Sequence, residues 1–364
     1  MQHPAYERLY EKLRGEILSG GYAYGDRLPG KRTLAEENGV SVITAAHALE
    51  LLEAEGYLAA RERSGFYVCY RAGEDFSLPR PPGGAALPLP LSRSGPGAPD
   101  LPSSADVDGF PFSLLARTMR RVLSERGEAV LVKSPNAGLP ALRQALSRYL
   151  ARARGIAAAP EQIIIGAGAE YLYGLIVETL GAERVWALES PSYEKIQQVY
   201  AARKVRTEAL PLARDGILSE ALQACRASVL HVSPYRSYPS DVTASASKRA
   251  EYLRWAARED RFIVEDDYES EFCLRRKPME TLFAQSDREN VIYLNTFSRT
   301  ISSALRVGYM VLPPSLLPVF QARAGFYSCT VPAFEQYLLA ALLDGGDFER
   351  HLRRVRRKLR GARE

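Results

Sequence analysis

Apolar residues at helical spacing open the chain. Tyr6, Leu9, Leu13 and Ile17 recur at the spacing of one helix face, and a glycine pair at 20–21 ends the segment. The pattern predicts an amphipathic helix that a turn follows at 25–29.

Two further helices and a pair of short strands are predicted next. One helix covers 31–38, and Ser41 is the expected N-cap of the other. Short runs at 57–60 and 66–68 are typical of two strands joined by a polar turn. Three helices followed by a hairpin indicate a winged helix-turn-helix.

Short apolar runs dominate the chain beyond residue 90. Each predicts a buried strand, and several open into small or polar residues. These runs lie at 163–165, 185–188, 229–232, 262–264 and 291–294. Strands separated by helical segments favour an α/β domain.

Polar residues collect where two of these strands end. The run at 262–264 opens into Glu265, Asp266, Asp267 and Tyr268, and the run at 291–294 opens into 295–300. Open α/β sheets bind ligands at the carboxyl ends of their parallel strands. The sequence therefore predicts a ligand site at these two strand ends.

A composition change separates the two halves. Prolines and glycines crowd the segment 71–90, which has no periodicity and is typical of a semi-stiff linker. A length of 364 residues also favours more than one domain. We expect a winged helix over 1–70, a linker over 71–90 and a larger domain over 91–364.

Charge and cysteine usage limit the classes of function. The net charge of +5 is only mildly basic, although 348–364 holds eight Lys or Arg against two Glu. That basic run is interpreted as the solvated face of an amphipathic helix in preference to a nucleic-acid tail. Four scattered cysteines favour neither a zinc site nor a disulfide framework. With no apolar run long enough to span a bilayer, we expect a cytoplasmic protein.

The first 70 residues resemble the GntR class of bacterial regulators. The match covers residues 5–68 and includes Gly-Asp-Arg-Leu-Pro at 25–29, Gly-Val-Ser at 39–41 and Ser-Gly-Phe-Tyr-Val at 64–68. In that class the third helix enters the major groove of double-stranded DNA and the wing touches the backbone or minor groove. The resemblance implies DNA contacts by position for Arg32, Ser41, Thr44, His47, Arg63 and Gly65.

This segment departs from the GntR pattern in its charge. Val42 and His47 stand where the family often has Arg, so the third helix lacks the guanidinium that best reads guanine. Residues 1–70 carry eight Lys or Arg against ten Asp or Glu, a net charge of −2. DNA binding is favoured, and a winged helix retained as a protein-contact module is the alternative.

The second domain resembles the fold-type I aminotransferases, and its fusion to a GntR segment resembles the MocR-type subfamily. Asp-Asp-Tyr at 266–268 and Thr-Phe-Ser-Arg-Thr at 296–300 carry the likeness. In that family a Lys forms a Schiff base with pyridoxal phosphate. Arg299 stands at the position of this Lys, so the resemblance implies a domain that does not transaminate.

The same resemblance implies a set of cofactor contacts. An Asp pairs with the pyridine nitrogen, an aromatic residue lies beside the ring, and a helix N-terminus with an Arg holds the phosphate. With no nucleophilic Lys, pyridoxal phosphate would bind noncovalently at best. The positions that inherit these contacts are Gly168, Ala169, Tyr193, Asp266, Tyr268, Ser298, Arg299 and Arg306.

Two other residues near these positions leave alternatives open. Lys195 is either a cation for a substrate carboxylate or a solvated helix residue. His231, inside an apolar run, is interpreted as a packed core residue rather than a catalytic one. The resemblance also implies that the family's C-terminal subdomain, with its carboxylate-binding Arg, is missing after 364.

Taken with the resemblance, the sequence predicts a MocR-like transcriptional regulator with a degenerate aminotransferase-like sensor domain. The family architecture implies a homodimer that binds DNA, and pyridoxal phosphate or an amino-acid-like molecule as effector. One alternative is an active pyridoxal-phosphate aminotransferase. Another is a truncated remnant that titrates a relative by dimerisation.

Overall fold

A computed structural model describes residues 4–61, 64–70, 109–258, 260–268, 270–272 and 280–361. These residues belong to two units, which divide between Arg93 and Ser94. The predicted linker at 71–90 and the wing residue Arg63 lie outside the described residues, so both stay predictions. No described helix is long and apolar enough to cross a membrane, and no cluster of metal-binding side chains occurs within these ranges.

The smaller unit is a three-helix bundle with a two-stranded wing. Its elements are α1 Ala5–Leu18, α2 Lys31–Asn38, α3 Val42–Ala54, β1 Leu58–Arg61 and β2 Gly65–Val68. The strands are antiparallel, with Leu58 opposite Val68. The apolar stripe of α1 packs on α2 and α3, so that Leu13, Leu34 and Leu49 are fully buried. The apolar residues predicted to form one face of the first helix are confirmed, since Leu9, Leu13 and Ile17 are buried in the core.

The larger unit alternates strands with helices. Its strands are β3 Ile163–Gly166, β4 Val185–Ser190, β5 Arg206–Ala213, β6 Gly216–Ile217, β7 Val229–Val232, β8 Phe262–Asp266, β9 Val291–Thr296 and β10 Gly308–Val311. Its helices are α4 Phe112–Arg126, α5 Pro140–Arg154, α6 Ala169–Leu180, α7 Glu194–Ala202, α8 Ser219–Ala224, α9 Ala246–Ala256, α10 Leu282–Gln285, α11 Leu317–Arg323, α12 Ala333–Asp344 and α13 Asp347–Gly361.

These strands form one mixed sheet in the order β3-β10-β9-β8-β7-β4-β5-β6. The five strands from β9 to β5 run parallel, while β10 and β6 are antiparallel to their neighbours. The parallel strands therefore share one carboxyl edge, where the sequence predicts a ligand site.

Helices cover both faces of the sheet. Tyr293 of β9 packs with α5 and α12 on one face, whereas Ile292 and Leu294 pack with α6 and α11 on the other. A strand buried on both faces reads as a largely apolar run, as β4, β7, β8 and β9 do. The parallel strand β5 is at least partly exposed over most of its length and does not. The predicted fold, an α/β aminotransferase-like domain that follows a winged helix-turn-helix, is confirmed.

A buried ion pair ties α5 to the end of β8. Arg154 Nη2 lies 2.6 Å from Asp267 Oδ2, and both side chains are almost wholly buried. Tyr293 donates a hydrogen bond to the same oxygen at 2.7 Å. Asp267 therefore stabilises the scaffold directly beside the carboxyl edge.

Candidate functional site

The first candidate site is the N-terminal turn of α3. Ser41 caps the helix by accepting a hydrogen bond from the Thr44 amide at 3.1 Å. Their two hydroxyls also lie within hydrogen-bond distance, 2.8 Å apart. The two residues predicted to contact DNA therefore bond each other and fix the geometry of this turn.

The first turn of α3 exposes two large apolar side chains. Val42 is 43% exposed and Ile43 is 82% exposed, and the helix contains no Lys or Arg. The His47 ring lies 4.4 Å from the ring of Tyr6, so α1 positions this predicted DNA contact. The exposure of Ile43 was missed in the sequence, where it reads as one more apolar residue of a helix.

The other predicted DNA contacts lie on α2 and the wing. Arg32 is exposed in the first turn of α2. Gly65 is the first residue of β2 and has a φ of +113°, a backbone conformation that residues other than glycine rarely adopt. The Arg27 guanidinium lies beside it. A close backbone approach at Gly65 is compatible with the predicted wing contact.

The second candidate site is a cavity of about 440 Å³ at the carboxyl edge of the sheet. The ends of β4, β7, β8 and β9 and the start of α6 surround it. Seven of the eight predicted cofactor contacts line it: Ala169, Tyr193, Asp266, Tyr268, Ser298, Arg299 and Arg306. Gly168, the eighth, caps α6 directly before Ala169.

Asp266 presents an unsatisfied oxygen in this cavity. The residue is 4% exposed, and its Oδ2 accepts a hydrogen bond from Tyr173. Its Oδ1 is buried without a hydrogen-bond partner. A buried carboxylate oxygen of this kind is costly unless a donor reaches it. The position fits a ligand that carries an N–H, such as a protonated pyridine ring.

His231 supports Asp266 from beneath. It is buried in β7, as the core interpretation predicted, and it also lines the cavity. Its Nδ1 lies 2.6 Å from the Tyr200 hydroxyl, and its Nε2 lies 3.5 Å from Asp266 Oδ2. The apolar strand gave no signal of this contact, because the partner comes from another strand.

The start of α6 forms the opposite end of the cavity. Gly168 has a φ of +84°, and a Cβ there would lie 3.0 Å from Arg306 Nη2. The positive φ favours glycine here, and the absence of a Cβ leaves room for the Arg306 guanidinium beside the backbone. N–H groups at a helix start beside an arginine fit a phosphate.

Glu170 introduces a carboxylate into this end of the cavity, which the sequence did not reveal. Its two oxygens lie 3.3 Å from Lys195 Nζ and 3.5 Å from Arg306 Nη2. Lys195 lines the cavity, and its side chain is 50% exposed. Because Glu170 is paired with both cations, the site supplies its own anion.

Arg299 follows β9 and lines the cavity next to Ser298. Its guanidinium carbon lies 5.9 Å from the centre of the Phe272 ring. Among the described residues around the cavity, Lys195 is the only lysine, and it lies on α7 rather than after β9. A lysine at the end of β9 is therefore not part of this site.

A second buried acid lies at the ends of β4 and β7. Glu189 accepts hydrogen bonds from the Ser237 hydroxyl at 2.6 Å and from the Ser233 amide at 3.2 Å. Burial nevertheless raises the pKa of Glu189. The polar segment that follows β7 thus provides Ser237, whose hydroxyl donates a hydrogen bond to the buried Glu189.

Two family models match this chain, one for the smaller unit and one for the larger unit. Residues 5–68 match the model described as bacterial regulatory proteins, gntR family, and residues 110–364 match aminotransferase class I and II. The probable rhizopine catabolism regulatory protein MocR of Rhizobium meliloti is 32% identical over 370 residues, which is 97% of this chain and 74% of that protein. The pyridoxine biosynthesis transcriptional regulator PdxR of Corynebacterium glutamicum is 29% identical over 359 residues, which is 97% and 76% respectively.

A solved structure resembles the larger unit. LysN, the α-aminoadipate aminotransferase of Thermus thermophilus, superimposes with a TM-score of 0.60 and 28% identity. The likeness covers 68% of this chain and 64% of LysN, so the chain spans less than two thirds of that protein. The resemblance recognised in the sequence is confirmed. The chain belongs to the GntR-type HTH transcriptional regulators of the MocR class, in which a winged helix is joined to an aminotransferase-like domain.

Proposed function

We propose that this protein is a DNA-binding transcriptional regulator whose aminotransferase-like domain binds its ligand without a covalent bond. The observation that carries the second half is Arg299 in the cavity after β9, with Lys195 as the lone lysine among the described residues around it. An arginine side chain stays protonated and is a poor nucleophile, so it does not form an imine with an aldehyde.

Lys195 is a poor replacement for the missing nucleophile. Tyr193 and Glu170 raise the pKa of Lys195, whereas an imine-forming lysine must lose its proton. Its ammonium group is also held 3.3 Å from Glu170 Oε1. The geometry supports a cation that pairs with anions rather than a nucleophile.

The residues present fit the noncovalent part of a pyridoxal phosphate site. The unpartnered Oδ1 of Asp266 suits the ring nitrogen, and the Tyr193 side chain, which lines the same cavity, suits a position beside the ring. The α6 start at Gly168 and Ala169 with Arg306 suits the phosphate, next to Ser298. In enzymes this cofactor supplies an electron sink through its imine bond to the substrate.

The ligand class follows from the cavity and from the solved relative. A volume of about 440 Å³ is within the range of small-molecule sites. The LysN structure contains N-(5'-phosphopyridoxyl)-L-leucine, which supports a phosphopyridoxyl compound or an amino-acid-like molecule as effector. The cations Arg299 and Arg306 favour an anionic group on that molecule.

The DNA-binding half rests on the winged helix. Its described residues form three helices followed by two strands, the order of a winged helix-turn-helix. Ser41 and Thr44 lie at the start of α3, and Arg32 is exposed on α2. We propose a homodimer that binds two half-sites, because two-fold symmetric readers bind symmetric DNA. Phosphate contacts would supply much of the affinity, so binding falls as salt rises.

Borohydride reduction tests the noncovalent claim. The protein is incubated with pyridoxal phosphate, reduced, digested and mapped by mass spectrometry. We expect no fixed adduct on Lys195 in the wild type and an adduct on Arg299→Lys, which restores a lysine after β9. A stoichiometric wild-type adduct in the cavity would overturn the proposal.

Gel shifts on the DNA upstream of the protein's own coding region test the other half. Wild type should shift this DNA, and Arg32→Ala should bind more weakly with a shallower dependence on salt. Arg8→Ala, which removes an exposed cation from α1, is the matched control and should bind like wild type. Absence of a shift at low salt contradicts DNA binding.

A further inference from the structure

The N-terminal turn of α3 presents apolar side chains to solvent where a DNA reader usually presents polar ones. Ile43 is 82% exposed, the highest value among the exposed large hydrophobic residues of the smaller unit within the described ranges. Val42 beside it is 43% exposed. The core of this unit is completed by other residues, among them Ala45, Leu49 and Leu52 of the same helix. Ile43 therefore contributes little to packing.

Part of the hydrogen-bonding capacity at this turn is used within the turn itself. The hydroxyls of Ser41 and Thr44 lie 2.8 Å apart, and the Ser41 hydroxyl also caps the helix. The helix has no Lys or Arg to reach guanine. In a helix-turn-helix the first residues of this helix are those that contact base edges. The exposed apolar groups are therefore a main part of what this turn offers to base edges.

The major groove offers one apolar feature to such a helix. The 5-methyl group of thymine projects there, while the other base edges present donors and acceptors. Isoleucine and valine are stiff about χ1, so holding them against a methyl group costs little side-chain freedom. The cap at Ser41 fixes the turn that carries them. Shape and polarity thus match thymine at this point of contact.

We propose that Ile43, supported by Val42, reads thymine methyl groups in the major groove, and that this contact determines the base preference of each half-site. The inference rests on the proposed DNA binding. The inference predicts that each half-site of the operator has thymine at the positions opposite the start of α3. Specificity at those positions would come from apolar contact rather than from a guanidinium.

Replacement of thymine by deoxyuridine tests the inference, because the exchange removes only the 5-methyl group. A high-affinity duplex is first selected from random DNA with the full chain. Its thymines are then replaced one at a time, and dissociation constants are measured by fluorescence anisotropy. At the contacted positions we expect wild type to lose about four-fold in affinity per methyl group, the equivalent of one buried methyl-sized group.

Three variants assign the loss to a residue. Ile43→Ala should bind the thymine and deoxyuridine duplexes equally, whereas Ile43→Val should retain most of the discrimination. Leu18→Ala, which removes a 43%-exposed apolar side chain from α1, is the matched control and should discriminate like wild type. Thermal melts of each variant verify that the winged helix is folded.

The outcomes separate this inference from the proposed function. DNA binding without any thymine preference would overturn the inference and leave the regulator intact. Preserved discrimination in Ile43→Ala would also overturn it, since another group would then read the methyl. If the wild type binds no DNA, both fail, and a protein partner becomes the occupant of this apolar turn.

Discussion

Glu170 Oε2 lies 3.5 Å from Arg306 Nη2 in the cavity of the larger unit. The arginine is the cation expected to hold a phosphate, and the acid stands in the first turn of α6, where that phosphate would bind. An incoming anion must therefore compete with a carboxylate that the protein itself supplies. The pairing sets the affinity of the site for anions below what its cations alone would give.

Removing this carboxylate should tighten anion binding. We expect Glu170→Gln to bind pyridoxal phosphate and inorganic phosphate a few-fold more tightly, because the exposed pair is worth on the order of 1 kcal/mol or less. Isothermal titration calorimetry measures the change. Glu178→Gln, on an exposed position of the same helix, should leave affinity unaltered. Weaker binding by Glu170→Gln would mean that the acid contacts the ligand favourably.

Asp266 and Arg306 should affect different ligands. Arg306→Ala is expected to weaken both pyridoxal phosphate and inorganic phosphate. Asp266→Asn is expected to weaken only pyridoxal phosphate, by roughly ten-fold or more, since a charged hydrogen bond contributes about 1.5–3 kcal/mol. Parallel calorimetric titrations with the two ligands show the split. Equal losses for both ligands in Asp266→Asn would place the ring elsewhere.

The buried pair of Arg154 and Asp267 should matter for folding. Arg154→Met leaves a buried carboxylate without its cation, and we expect a loss of about 3–5 kcal/mol in the free energy of unfolding. Urea denaturation measures it. The exposed pair of Arg148 and Asp344, 2.7 Å apart, provides the control, because Arg148→Met should cost less than about 1 kcal/mol. Similar losses in both variants would contradict this account.

Glu271 should give the stability a pH dependence. Burial and the neighbouring Asp267 raise the pKa of Glu271 from 4.5 to about 7, and Asn295 donates the hydrogen bond that holds it. A raised pKa means that the folded state favours the protonated acid. Its stabilisation is complete below pH 4.5 and is lost as the pH rises through about 7.

The loss amounts to on the order of 3 kcal/mol at about 1.4 kcal/mol per pKa unit. We expect Glu271→Gln to flatten the decline of unfolding free energy across this pH window, measured by urea denaturation at several pH values. Glu178→Gln, again exposed, should retain the wild-type slope. An unaltered slope in Glu271→Gln would assign the dependence to another group.

Local signals in the sequence sufficed for the winged helix. The predicted helix at 31–38 is α2, with the same limits, and Ser41 is the N-cap of α3. Caps and helix spacing depend on neighbouring residues, so a single sequence contains them. The strands β3, β4, β7, β8 and β9 were also visible, because each is buried and reads as an apolar run. Strand β5 gave no such signal, because most of its residues are at least partly exposed.

The cavity was predicted only in part, because its contacts join distant segments. The strand ends pointed to Asp266 and Arg299, and the structure places both around the cavity. Nothing near Glu170 in the sequence signals that it meets Arg306, and the apolar strand of His231 conceals its approach to Asp266. Such pairs are fixed by the sheet order, which no local pattern encodes.

Asp266 and Asp267, adjacent at the end of β8, would be kept during evolution for different reasons. Asp266 has a buried oxygen without a hydrogen-bond partner, which we propose a ligand binds, whereas Asp267 is paired with Arg154 inside the fold. A descendant that had lost every ligand would still be selected to keep Asp267, because an unpaired buried guanidinium is costly. In a relative, an Asp at the position of Asp267 therefore indicates only that the fold is stable. An Asp at the position of Asp266 is the one that indicates a retained ligand.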